Sequence, residues 1–217
     1  MNVAPRLELE RRAGVSAANA DTRAFAEWIA RDRPSSLLDV GTGSGYIAIR
    51  LALDGCRVAA TDRSPAAVRL AAANARRNGV ALEPRLADLL DGVAGRWQAI
   101  AFNPPFSSRA DSPWTARLKQ VVRAVAPLER WLMHRPPRAV LEFRRGLVRR
   151  FVAQARAHLE PGGALYLLLY APEAEALAAE SAAGEIAIES TAELRRRNLR
   201  LVRLTAGSGG RTGRPER

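Results

Sequence analysis

A glycine-rich turn directly after a short apolar run is the feature that most constrains how this chain can fold. The run Ser36–Val40 has the apolar character of a buried strand, and Gly41, Gly43 and Gly45 follow it. Because glycine has no Cβ, ligand atoms can approach the backbone of such a turn closely. The dinucleotide pattern G-x-G-x-x-G would place its third glycine at position 46, which is Tyr46 here. The spacing therefore disfavours a nicotinamide dehydrogenase, while a turn that binds nothing stays open.

Apolar runs alternate with helical patterns along the chain. The predicted strands cover residues 36–40, 57–61, 82–86, 97–102, 164–170, 185–190 and 199–204. This alternation over the first five strands indicates an α/β fold with a doubly wound, mostly parallel, seven-stranded Rossmann-like sheet. No helix separates the last two strands, which predicts an antiparallel hairpin at the C-terminal side.

Helical periodicity and capping residues predict the intervening helices. The predicted helices cover residues 21–33, 44–53, 65–78, 118–125, 141–159 and 172–183. We expect Asp21 to cap the first of them, and Ser64 followed by Pro65 to open the third. Pro161 and the two glycines after it are expected to end helix 141–159 and begin the next strand.

The length of 217 residues suits one domain with a substantial core. We assign this domain to residues 21–205, with an irregular segment 1–20 before it and a disordered Gly/Arg tail at 206–217. The single cysteine, Cys56, cannot form an internal disulfide and fits a reducing compartment. The longest apolar run, 164–171, is too short to span a bilayer, and no signal-peptide pattern opens the chain. We therefore expect a cytoplasmic protein that does not act at a membrane.

The net charge of +12 is unevenly distributed. Residues 103–158 carry +9, residues 159–194 carry −7, and residues 195–217 carry +7. Segregated positive charge suggests an acidic macromolecular partner, and the alternative is a solvated helix face in a chain of biased composition. The arginines expected to meet such a partner are Arg144, Arg145, Arg149 and Arg150.

Two aspartates follow predicted strands. Asp62 ends the second strand, 21 residues after Gly41, where a carboxylate can accept hydrogen bonds from both hydroxyls of a ribose. The alternative is an aspartate that only caps a helix. Asp88 follows the third strand, a position that an ordinary turn residue also occupies.

The segment after the fourth strand carries the strongest chemical signal: Asn103, Pro104, Pro105 and Phe106. Two consecutive prolines cannot continue a strand, so the segment is expected to be a rigid, exposed loop. The side-chain carbonyl of Asn103 and the backbone carbonyl of Pro104 can accept both N–H groups of an amide or amino nitrogen. Phe106 offers a flat apolar face on which an amide plane or a base can stack.

Taken together, these motifs resemble the class I S-adenosylmethionine (SAM) methyltransferases, in particular the small-domain group with an N-P-P-F/Y motif. This group includes HemK-type glutamine methyltransferases and the adenine-N6 and guanine-N2 RNA methyltransferases. The resemblance implies transfer of a methyl group from SAM to an amide or exocyclic amino nitrogen, with S-adenosylhomocysteine as product and without a metal. It also implies that Asp88 binds the adenine amino group and that Leu89 packs on the adenine ring.

The resemblance implies a cofactor-binding set made of Asp39, Gly41, Thr42, Gly43, Gly45, Asp62, Arg63, Asp88, Leu89 and Asn103. It implies a catalytic set made of Asn103, Pro104, Pro105 and Phe106. Asn103 therefore belongs to both sets.

Substrate class is the open question. Protein glutamine in a translation-related macromolecule is the main interpretation, and an RNA base is the alternative. Glutamine methyltransferases of this group usually have Tyr where this chain has Phe106, whereas Phe is common in the RNA enzymes. A small-molecule methyltransferase and a non-catalytic SAM-binding module also stay open, although a non-catalytic module needs no loop like 103–106. The partner is expected to be RNA, the ribosome or a translation factor that meets the basic segment 103–158.

Overall fold

The computed structural model describes residues 7–105, 136, 138–180, 186–189, 194 and 198–205, with 186–189 described by their backbone only. Several predicted features therefore lie outside the described residues. They are Phe106, the helix 118–125 and the tail 206–217.

Strands and helices alternate in the described part of the chain as the sequence predicts. The strands are β1 (Ser36–Val40), β2 (Arg57–Asp62), β3 (Arg85–Leu86), β4 (Trp97–Phe102), β5 (Leu159–Tyr170), β6 (Ile186–Glu189) and β7 (Leu199–Thr205). The helices are α1 (Ala20–Arg31), α2 (Tyr46–Leu53), α3 (Pro65–Arg77), α4 (Arg138–Arg156) and α5 (Ala171–Glu180).

These strands form one sheet in the order β3-β2-β1-β4-β5-β7-β6. The pairs from β3 to β5 are parallel, whereas β7 is antiparallel to both β5 and β6. The predicted fold class, a mostly parallel Rossmann-like sheet with an antiparallel C-terminal pair, is confirmed.

The central strand β1 is buried along its whole length because helices cover both faces of the sheet. On one face Leu37 packs in a cluster with Phe25 of α1. On the other face Leu38 and Val40 pack in a second cluster with Phe151 of α4. A strand buried on both faces needs a nearly continuous apolar run, which is why the sequence located it well.

The start of α1 differs from the prediction. The cap is Asn19, whose side-chain oxygen accepts the backbone N–H of Thr22 at 2.8 Å. Asp21 instead lies in the first turn and is buried. Either residue type can cap a helix, and the sequence offers both within three positions. The predicted cap and first helical residue of α3, Ser64 and Pro65, are confirmed.

The boundary between α4 and β5 also differs. Helix α4 ends at Arg156, and Leu159, predicted as its last residue, begins β5. Pro161 and the glycines after it do not end the helix but lie within β5, where the register to β4 shifts. A Cβ on Gly163 would lie 2.9 Å from the carbonyl oxygen of Gln98. Close backbone contact explains the glycine at this irregularity. None of the described helices is long and apolar enough to cross a membrane.

Asn74 of α3 and Asn78, which caps the C-terminal end of α3, bind the segment before α1. Asn78 exchanges two hydrogen bonds with the backbone of Glu8, at 3.0 and 2.8 Å. Asn74, fully buried, accepts the N–H of Glu10 at 2.8 Å and donates to the carbonyl of Ser44, also at 2.8 Å. The N-terminal segment and the glycine turn are therefore tied to the same helix.

Candidate active site

The sheet order reverses at β1, with β2 on one side and β4 on the other. In doubly wound sheets such a point opens a crevice at the carboxyl ends of the strands, where ligands bind. Val40, at the end of β1, is level with Thr61 of β2 and Phe102 of β4. The residues that follow on the three strands form one row: Asp62, Gly41 and Asn103. Neighbouring strands lie about 4.8 Å apart, so this row brings three of the predicted site residues together.

The glycine turn packs too closely for side chains. Gly41 and Gly43 have φ values of +67° and +57°, in the left-handed region that favours glycine. A Cβ on Gly43 would lie 3.2 Å from the carbonyl oxygen of Ser16, and a Cβ on Gly41 would lie 3.3 Å from the ring of Phe102. The turn is thus bounded by the N-terminal segment and by the end of β4.

The buried side chains of Asp39 and Thr42 form a hydrogen bond next to the glycine turn. Asp39 is 1% exposed, and the hydroxyl of Thr42 donates a hydrogen bond of 2.6 Å to its carboxylate. Burial raises the pKa of Asp39 to about 7, although hydrogen bonds from Thr42 and from the backbone of Ala48 act in the opposite direction. Both predicted cofactor-binding side chains therefore contact each other beneath the turn.

The raised pKa of Asp39 predicts a pH-dependent stability. Between its unfolded value of 3.8 and about 7, the folded protein keeps a proton that the unfolded chain releases, so the free energy of unfolding falls as pH rises. Asp39→Asn has no such proton to lose. Its free energy of unfolding relative to wild type should therefore increase from about pH 4 to about pH 7. Urea denaturation of both proteins across this range measures the difference, and a constant difference would contradict the prediction.

Asp62 is half-buried and anchors the glycine turn. Its two carboxylate oxygens accept the backbone N–H groups of Gly43, at 2.9 Å, and of Ser64, at 2.8 Å. A carboxylate has about four acceptor positions, so each oxygen keeps one for a further donor. Arg63, the next residue, is exposed.

Asp88 and Leu89 follow β3 in different environments. Asp88 is exposed and its carboxylate lies 3.0 Å from Arg150 of α4. Leu89 has a φ of +53° and its side chain, 6% exposed, packs in the core cluster around Val40. Its predicted packing on an adenine ring stays a prediction.

The proline loop follows β4 and is fixed by a buried arginine. Asn103 is half-buried, Pro104 is buried and Pro105 is exposed. One guanidinium nitrogen of Arg144 donates to the carbonyl of Pro104 at 2.6 Å and to that of Pro105 at 3.0 Å. The other two nitrogens form a bidentate pair with Glu173 of α5, at 2.6 and 3.0 Å.

The burial of Arg144 corrects the expectation that it lies at the surface, either to meet an acidic partner or as part of a solvated helix face. Its side chain is 3% exposed, and that of Glu173 is 1% exposed. Arg149 pairs with Glu180, and Arg145 donates to the carbonyl of Pro172 at 3.2 Å. With Arg150 bound to an aspartate, each of the four arginines assigned to an acidic partner contacts an acceptor in this chain. The segregation of charge could have indicated these contacts, because the basic segment 103–158 and the acidic segment 159–194 can form ion pairs with each other.

Comparison with protein families identifies the domain. The methyltransferase small domain family matches residues 8–130, which is more than half of the chain and includes the turn, the row of site residues and the proline loop. A release factor glutamine methyltransferase of Deinococcus radiodurans is 39% identical over 158 residues, which cover 71% of this chain and 52% of that protein. The chain spans about half the length of the curated relatives it matches.

Solved structures show the same fold at lower identity. A ribosomal protein L11 methylase from Lactobacillus delbrueckii subsp. bulgaricus superimposes with a TM-score of 0.59 at 20% identity, covering 89% of this chain and 83% of that one. A Thermus thermophilus 16S rRNA N2 methyltransferase in complex with AdoMet and guanosine gives 0.58 at 16% identity, covering 87% and 43%. The fold, the row of site residues and the family match agree, and the chain belongs to the methyltransferase small domain family.

Proposed function

We propose that this protein is a SAM-dependent N-methyltransferase that acts on the side-chain amide of a glutamine in a translation-related protein. The observation that carries the proposal is the row of Asp62, Gly41 and Asn103 at the carboxyl edge of three adjacent strands. We infer from it that a carboxylate, a glycine backbone and an amide flank one ligand crevice. The similarity to a release factor glutamine methyltransferase supports glutamine as the acceptor.

The residues of the crevice fit SAM. Asp62 keeps one acceptor position on each oxygen, which suits the two hydroxyls of a ribose. A Cβ at Gly41 or Gly43 would crowd its neighbours, and Gly41 is exposed, so we assign the close approach of the ligand to this turn. We assign the glycine turn, Asp62, Arg63 and the segment at Asp88 and Leu89 to the cofactor. When bound, SAM supplies an electrophilic methyl group.

The proline loop orients the acceptor nitrogen. An amide nitrogen is a poor nucleophile because its lone pair is delocalised into the carbonyl. The Asn103 side-chain oxygen and the Pro104 carbonyl accept its two N–H groups, which fixes the nitrogen and favours the positive charge that develops on it. Phe106, the fourth residue of the motif, is assigned to stacking against the amide plane. The proton leaves the nitrogen after transfer.

Asp62→Ala should weaken SAM binding by about tenfold or more. Hydrogen bonds to a charged group contribute roughly 1.5–3 kcal/mol, and a factor of ten corresponds to about 1.4 kcal/mol. The variant also loses the acceptor that holds the Gly43 N–H. Isothermal titration calorimetry measures the affinity, with Asp91→Ala, an exposed aspartate after β3, as control. Unchanged affinity would remove Asp62 from the site, and tighter binding of NAD than of SAM would contradict the proposed cofactor.

Incubation of the protein with radiolabelled SAM and cell lysate, followed by protease or ribonuclease, tests the substrate class. Label that protease releases and ribonuclease leaves intact supports a protein acceptor, and complete enzymatic digestion to amino acids should then yield glutamine methylated on its side-chain nitrogen. Label released by ribonuclease would replace this proposal with RNA base methylation. Label confined to small molecules would exclude both macromolecular substrates.

A further inference from the structure

The two prolines of the loop leave its backbone without hydrogen-bond donors at these positions. Proline has no backbone N–H, so neither Pro104 nor Pro105 can donate a hydrogen bond to the sheet or to a neighbouring loop. The backbone at these two positions can form hydrogen bonds only through its carbonyl oxygens. In the structure, a single guanidinium nitrogen of Arg144 binds both carbonyls, at 2.6 and 3.0 Å.

Arg144 is itself fixed from several directions. Glu173 binds it in bidentate geometry, and the same carboxylate accepts the backbone N–H of Tyr170 at 2.8 Å. This last bond resembles the return contact of a capping box, since Glu173 lies in the first turn of α5. The guanidinium also lies 4.9 Å from the centre of the Tyr170 ring. The end of β5 and the start of α5 therefore define where the guanidinium lies.

We propose that Arg144 is a positioning residue for methyl transfer and that Glu173 orients it. This inference rests on the proposed function, in which the Pro104 carbonyl accepts one N–H of the substrate nitrogen. A carbonyl oxygen has two lone pairs, so Arg144 can hold the oxygen through one and leave the other for the substrate. The bond from a charged donor sets the position of the acceptor before substrate arrives, which is the condition for efficient orientation.

An ion pair between Arg144 and Glu173 does not by itself explain the contact of Arg144 with the proline loop. Two nitrogens of the guanidinium satisfy Glu173, and an ion pair alone would not require the third to reach a loop 40 residues earlier in the chain. Arg50 offers the comparison within the same protein. It is also buried and pairs with Glu27 and Asp54, but it lies on α2 and bridges α1 to the end of its own helix. Loss of Arg50 therefore measures the effect of removing a buried, ion-paired arginine away from the loop.

The test uses Arg144→Lys and Glu173→Gln, with Arg50→Lys as the matched control. Lysine keeps the charge but cannot bind a carboxylate and two carbonyls as a rigid fork does. Thermal unfolding, SAM affinity by calorimetry, and kcat and KM are measured with radiolabelled SAM and a purified translation release factor. We expect kcat of Arg144→Lys to fall by about tenfold or more, with SAM affinity within a few-fold of wild type. Glu173→Gln should lower kcat in the same direction, and Arg50→Lys should keep kcat although its melting temperature falls.

A double variant separates positioning from stability. If Glu173 acts through Arg144, adding Glu173→Gln to Arg144→Lys should lower kcat little further, because residues in one network are not additive. Equal kcat for Arg144→Lys and Arg50→Lys would overturn the inference while the proposed function stands. If Arg144→Lys does not fold, the kcat of Glu173→Gln is compared with that of Arg50→Lys instead. Equal values for these two variants would likewise overturn the inference. A wild-type protein that methylates neither a release factor nor any other protein of the lysate would overturn glutamine methylation, and the inference with it.

Discussion

Asn103→Ala should lower methyl transfer by about a hundredfold or more while SAM affinity stays within a few-fold of wild type. Removal of one fixed polar group from the place where charge develops costs about this much in enzymes. Asn103 directly follows β4, in the row with Gly41 and Asp62 at the carboxyl ends of the strands. Of these residues, Asn103 is the one assigned to the acceptor nitrogen. Single-turnover transfer of radiolabel and calorimetry with SAM measure the two effects separately.

Asn78→Ala is the control for this experiment. Asn78 also carries a side-chain amide, but it caps the C-terminal end of α3 and binds the N-terminal segment at Glu8. We expect it to lower stability and to leave the rate of methyl transfer unchanged. A joint loss of SAM binding and of transfer in Asn103→Ala would mean that Asn103 supports the fold of the site and does not orient the acceptor.

The sequence predicted the central part of the sheet well for a physical reason. Strands β1 and β4 begin and end where predicted, because both are buried runs bounded by residues that cannot continue a strand. The glycine turn limits β1, and Asn103 with two prolines limits β4. At such positions local sequence and tertiary burial favour the same structure, so periodicity alone suffices.

Features that depend on distant partners were predicted less well. Whether Asn19 or Asp21 caps α1 depends on which side chain the fold buries, and Asp21 is buried. The first residues of β5 precede Pro161, which interrupts the apolar pattern, and the pairing of Leu159 with Trp97 of β4 is not a local signal. Tertiary contacts decided both boundaries.

The arginines of α4 show the same limit at the candidate site. Periodicity places Arg144 outside the apolar stripe, but a buried carboxylate on α5 and two proline carbonyls bind it in the interior. Nothing near Arg144 in the sequence indicates a partner 29 residues later. The segregation of charge into a basic and an acidic segment was visible, and its interpretation as a surface for an acidic macromolecule overlooked pairing within the chain.

The largest expected effect on stability comes from Gly45→Ala, which should lower the free energy of unfolding by about 2–5 kcal/mol. Gly45 caps α2 with a φ of +85°, and a left-handed conformation costs a residue with a Cβ about 1–2 kcal/mol. The new Cβ would also lie 3.1 Å from the Cβ of Ala71 on α3, a fully buried residue. Overpacking of this kind adds about 1–3 kcal/mol.

Gly55→Ala separates the two contributions. Gly55 has nearly the same φ, +87°, but nothing lies within 4 Å of a Cβ built on it. We therefore expect the free energy of unfolding of this variant to fall only by the conformational cost, about 1–2 kcal/mol. Urea denaturation of both glycine variants measures the two losses. Because Gly45 also ends the turn assigned to SAM, its variant should bind SAM more weakly, whereas Gly55→Ala should bind it as wild type does. Equal destabilisation by the two substitutions would show that the contact between Gly45 and Ala71 relaxes without cost, and that the glycine is required for its backbone conformation alone.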